Sequence, residues 1–157
     1  MGGVSTGRAV RAVGIAGLVA GTLDILAAFL VYGLRGAAPL GILQSVASGL
    51  LGRTTAYGGG GATAALGLAL HFFIATSAAA VYYAASRRLD VLVTHAVPSG
   101  LLYGVAVWLF MNFVVIPLSA IGRWPTINAL SAVIVVVHMV CVGLPIALVV
   151  RHHSTRA

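Results

Sequence analysis

Acidic side chains are almost missing from this chain: its 157 residues hold only Asp24 and Asp90, with no glutamate and no lysine. Charged residues of both signs make up 7%, whereas a soluble domain carries about a quarter. A surface so poor in charge cannot be covered in water, which excludes an ordinary soluble fold. A single cysteine, Cys141, excludes an internal disulfide and leaves the redox compartment open. There is no phosphate loop, nucleophile elbow, HExxH pair or CxxC motif. Most serine and threonine residues stand on small-residue faces without an adjacent base, so catalysis is not expected. No cofactor is called for.

What is present is apolar. Hydrophobic residues make up 61%, and the mean hydropathy is +1.09. The net charge of +7 comes from nine arginines. They stand singly or in pairs at the ends of apolar runs. That is the pattern of membrane topology signals, not of a phosphate-binding stripe, so the expected partner is the lipid bilayer and not nucleic acid. Arg8 and Arg11 ahead of an apolar segment resemble a secretory signal. The segment runs about twenty residues and contains Asp24, which fits a retained first helix better. Ser5 and Thr6 follow a Met-Gly start without the full setting for acylation.

A hydrocarbon core about 30 Å thick needs roughly 20 apolar residues in a helix. Four segments qualify: about 12–32, 62–85, 92–118 and 128–150. Backbone groups in lipid must bond within their own segment, so these are helices. The fold class is therefore all-α: an integral membrane four-helix bundle forming one domain over 1–157. Pro98 suits the first turns of the third helix, Pro117 ends it, and Pro145 kinks the fourth. Arg8, Arg11, Arg87, Arg88, Arg151 and Arg156 fall on one side, Arg35, Arg53 and Arg123 on the other. This bias puts both termini in the cytoplasm of a bacterial inner (plasma) membrane.

The first outer connection, 33–61, is too long for a turn. At about 39–52 it holds an amphipathic helix, with Leu43, Val46, Ala47, Leu50 and Leu51 on one side and Gln44, Ser45 and Ser48 on the other. Too short to span, this helix is expected to lie at the interface or to re-enter the bilayer. Gly58 to Gly61 form a hinge into the second span. Tyr32, Tyr57 and Trp124 sit where interfacial aromatics belong, and Trp108 lies deep.

The polar residues inside the spans share faces with small ones. In the first helix Gly17, Gly21 and Asp24 follow steps of four and three, so they lie on one side. Gly67 and His71 do the same in the second. Gly100, Gly104, Trp108 and Asn112 form the equivalent side of the third, and Ser131 and His138 that of the fourth. Small faces let helices approach closely, which predicts packing at Gly17, Gly21, Gly67, Gly100 and Gly104 and favours self-association. With a rise of roughly 1.5 Å per residue, Asp24 lies some 20 Å from the Arg11 end, and His71 and His138 lie roughly 14–16 Å in from the other. Asp24, His71 and His138 therefore meet near the midplane, with Asn112 nearer the outer boundary. The leading reading is a structural or accessory membrane protein whose polar cluster, including an Asp24–His pair, holds the bundle in register. The alternative is a proton-coupled transporter or ion-permeation unit using Asp24, His71 and His138. A third is a haem or metal site with the two histidines as axial ligands. His95 is expected at the interface, and RHHSTRA at anionic headgroups.

The stretches GIAGLVAGTLD, LHFFIATSAAAVYY, GLLYGVAVWLFMNFVVIPL and VVVHMVCVGLPIALVVRHH give this chain, over nearly its whole length, a pattern that resembles the YagU family of bacterial inner-membrane proteins. The resemblance implies a small multi-helix inner-membrane protein of a family linked to acid tolerance. Asp24 and the Gln44 helix with its GGGG run lie outside that pattern.

Overall fold

The computed structural model describes residues 6–154. Ser5 and Arg156, used above for acylation and orientation, lie outside them. Seven helices follow in order: α1 Thr6–Gly33, α2 Pro39–Leu51, α3 Arg53–Gly58, α4 Gly60–Ser86, α5 Val91–Thr94, α6 Ala96–Leu118 and α7 Ala129–Ser154. No strand occurs among the described residues. Four of the helices, α1, α4, α6 and α7, have 28, 27, 23 and 26 residues and are apolar enough to cross a bilayer. At about 1.5 Å per residue each exceeds a hydrocarbon core of about 30 Å. The chain is a multi-pass, all-α membrane protein built as a four-helix bundle. One end of the bundle carries Arg35, Arg53 and Arg123; the other carries Arg11, Arg87 and Arg151.

Its interior is made of small side chains. Ala12, Ala16, Ala20, Ala79 and Ala147 are fully buried, while Leu18 is 59% exposed, Phe73 68% and Leu102 70%. Large apolar groups turned outwards and small ones inwards are what lipid selects, because leucine gains nothing by leaving acyl chains whereas close backbones gain dispersion contacts. A soluble bundle would show the reverse. At the Arg87 end the core is sealed by Tyr82, Ile146, Ala147 and Val150. There the Tyr82 hydroxyl donates to the Leu92 carbonyl at 2.9 Å, and its ring meets Tyr103 edge-on at 4.9 Å.

α1 packs on α4 and α7, and α6 packs on α7. α4 and α6 make no extended contact; one bond from the Tyr103 hydroxyl to the Ala78 carbonyl, 2.7 Å, spans their flank.

One expectation needs correction. The third span does not begin at Leu92: the chain breaks at His95, with φ −113° and ψ 51°. Pro98 has no N–H for the Thr94 carbonyl, so the helix restarts after that gap. Pro117 stands in the last turn of α6, where the helix was expected to end. A π-helical turn over Met111–Val115 precedes it, and the helix runs on to Leu118. The short helix α2 is held to the bundle by its polar side. Gln44 and Ser48 are buried with Ile42 and Ala47, while Leu40 and Leu50 are exposed. α2 lies against the first half of α4, where the Gln44 amide donates to the Gly60 carbonyl at 3.0 Å. Gly60, at φ +58°, makes the corner that presents this carbonyl. A polar group facing lipid finds no partner, so the polar side turns to the protein. Gln44→Ala is expected to destabilise the fold by about 1–2 kcal/mol, read as a lower denaturant midpoint in mixed micelles and earlier proteolysis within 39–60.

Candidate functional site

The site begins with two glycines. A β-carbon on Gly17 would collide with Thr76, and one on Gly21 with Phe72 and Ala75. Without side chains there, α1 and α4 come close enough for His71 to reach across, its Nε2 lying 2.8 Å from the Gly21 carbonyl. A carbonyl only accepts, so Nε2 carries the proton and donates, which leaves Nδ1 of the neutral ring as an acceptor. His138 uses its other nitrogen: Nδ1 donates to the Ile134 carbonyl at 2.9 Å, leaving Nε2.

α6 and α7 meet through a second set of small residues. Gly100 lies against Gly143, Leu144 and Ala147, and Gly104 against the backbone of His138 and Met139. Gly67 plays the same part for α2, lying against the Leu43 carbonyl. The five glycines singled out in the sequence thus sit in helix crossings within one chain. Gly143, which was not singled out, belongs with them.

Both crossing helices carry a π turn at the same level. Each lies just ahead of a proline, where the missing N–H would have served the carbonyl four residues back, Phe113 for Pro117 and Cys141 for Pro145. The neighbouring amides bond five residues back instead, Ile116 to Met111 and Leu144 to Met139. One turn contains Asn112 and the other starts at His138, so the polar residues stand where the helices are widened. Such turns are frequent at functional sites.

Asp24, His71, Asn112 and His138 line one cleft of about 430 Å³. Tyr32, Arg123, Asn128 and Ser131 border it towards the Arg123 end. Below lies a smaller chamber of about 110 Å³, walled by Asp24, His71 and His138 together with Ala75, Ala78 and Val142. Asn112 Nδ2 donates to the Trp108 carbonyl at 2.9 Å, which leaves its side-chain oxygen. Trp108 is buried and meets Phe113 edge-on at 6.2 Å. Asp24 is half-buried, and among the described residues its carboxylate forms no hydrogen bond or ion pair with the protein. The expected Asp24–His pair is therefore not made. Each imidazole is held by a backbone carbonyl, and the acid lines the same cleft and chamber.

Among the described residues no group of three or more His, Cys, Asp or Glu could hold a metal ion. His95 is exposed, with its Nδ1 3.1 Å from the Thr94 hydroxyl, and takes no part in the cleft. Arg123 and Tyr32 were missed as cleft residues: no spacing rule ties a loop arginine to helices distant from it in sequence. The prolines were the signal for the widened turns.

Comparison with protein-family models, curated proteins and solved structures returns no match.

Proposed function

We propose that this chain is a small proton-coupled carrier or permeation unit of the bacterial inner membrane, with both termini in the cytoplasm and the Arg123 end outside. The observation that carries this reading is the Asp24 carboxylate, which lines a cleft with two imidazoles and, among the described residues, has no hydrogen-bond or ion-pair partner. A charge that served only to hold helices together would be bonded, since an unpaired carboxylate at this depth costs several kcal/mol. A carboxylate and two imidazoles, each ring with one nitrogen outside the bonds described above, supply groups of the kind that form intramembrane proton relays. The sealed core of Tyr82, Ile146 and Val150 below the cleft describes a state open at one end, as alternating access requires.

The structural reading, in which the cluster pins the bundle, is less well supported, because the glycine crossings already do that work. Catalysis and nucleic-acid binding are not part of the proposal, whereas kinship with the YagU-like proteins and self-association are. With the sequence-predicted glycines used within the chain, self-association would rely on its lipid-facing sides.

Purified protein in liposomes loaded with a pH-sensitive dye tests the proposal. A potassium diffusion potential should drive dye acidification faster than in protein-free liposomes. Asp24→Asn should return it to the protein-free level with unchanged elution on size exclusion. Wild-type liposomes no faster than empty ones would overturn the reading.

A further inference from the structure

A second space adjoins the cleft. Between α4 and α6, on the flank where these helices stand apart, runs a groove of about 610 Å³. Its walls are almost wholly apolar, with Phe73, Val81 and Phe110 among them, and these three are 58–68% exposed to the surroundings of the bundle. Ile74, Ala78, Val107 and Met111 belong both to this groove and to the chamber that holds Asp24, His71 and His138. These side chains form a wall common to the groove and to the chamber that Asp24 lines. Methionine adapts its shape readily, so Met111 makes a yielding part of that wall.

The charges favour one kind of occupant. Asp24 is the only acid within the four spans, and at this depth a cation would relieve its isolation. Trp108 lines the same cleft as Asp24, and an indole is the best of the rings that hold cations. The aqueous mouth carries Arg123, whose charge opposes a cation arriving from water. A cation that reaches Asp24 sideways, through the flank, avoids it, and only a cation with an apolar body dwells in that part of the bilayer.

We infer that the cleft and groove together bind a lipophilic cation, with a quaternary ammonium-type head against Asp24 and a hydrocarbon tail along the groove between α4 and α6. This rests on the carrier reading of the cleft and names its substrate class. A proton on Asp24 would then compete with the head group. The other titratable or charged groups facing the cleft are Tyr32 from α1, His71 from α4, His138 from α7 and Arg123 from the α6–α7 connection; α2 contributes none.

The test is photolabelling in nanodiscs with decyltrimethylammonium carrying a diazirine at the tail end, the label being mapped by mass spectrometry. Label is expected on Phe73 and Phe110, reduced about tenfold by excess tetramethylammonium or by Asp24→Asn. Ala106→Trp, which fills the groove, should move the label away even if Asp24→Asn does not fold. The inference falls if label spreads evenly to outward residues such as Leu18 and Leu148, if Asp24→Asn labels like wild type, or if a decyl sulfate analogue labels the groove equally. Proton flux that depends on Asp24 without such labelling would sink this inference alone. Labelling with no proton flux in wild type would sink only the carrier reading.

Discussion

Gly143→Ala should destabilise the bundle by about 2–3 kcal/mol, seen as a lower midpoint of unfolding in mixed micelles. The added methyl would strike the Gly100 carbonyl and the backbone of Gly104. Backbone cannot rotate aside as a side chain can, so α6 and α7 must part along their crossing. That crossing positions His138 beside the cleft, and the substitution should therefore also weaken flux. Gly14→Ala is the matched control. Nothing lies within 4 Å of the site where its methyl would go, and alanine is the better helix former by about 1 kcal/mol. It should leave stability unchanged or slightly higher. Equal losses at both positions would mean that helix crossing is not what Gly143 serves.

Asp24→Asn should raise stability by about 1 kcal/mol while abolishing proton flux. Among the described residues the wild-type carboxylate has no hydrogen-bond donor or paired cation, so the substitution breaks none of their bonds and removes a charge that the membrane interior disfavours. A residue that held the bundle in register would behave oppositely, because taking away one partner of a buried pair is strongly destabilising. The sign of the change in the micelle unfolding midpoint therefore separates the two roles, whatever the flux assay gives.

The four spans and the short α2 helix were legible because long apolar runs allow little else in lipid, and the depth of Asp24, His71 and His138 followed from helix rise alone. What could not be read was how each polar group is satisfied. The His71 bond to Gly21 depends on an approach that Gly17 and Gly21 permit but do not announce. For α2, periodicity separated two sides without saying what covers each; Gln44 turns inwards because the corner at Gly60 offers a carbonyl there. The restart after His95 was hidden inside a continuous apolar run, with Pro98 as its only mark. Arg123 joined the cleft through a connection whose path no local pattern encodes.

An alanine- and glycine-lined interior with leucine and phenylalanine outside has a calorimetric consequence. Separating these helices within a bilayer would transfer side chains from one dry medium to another, so little apolar surface would meet water. The large positive heat-capacity change that marks the melting of a water-soluble domain arises from that hydration. It would be largely missing here, and stability in lipid would vary almost linearly with temperature.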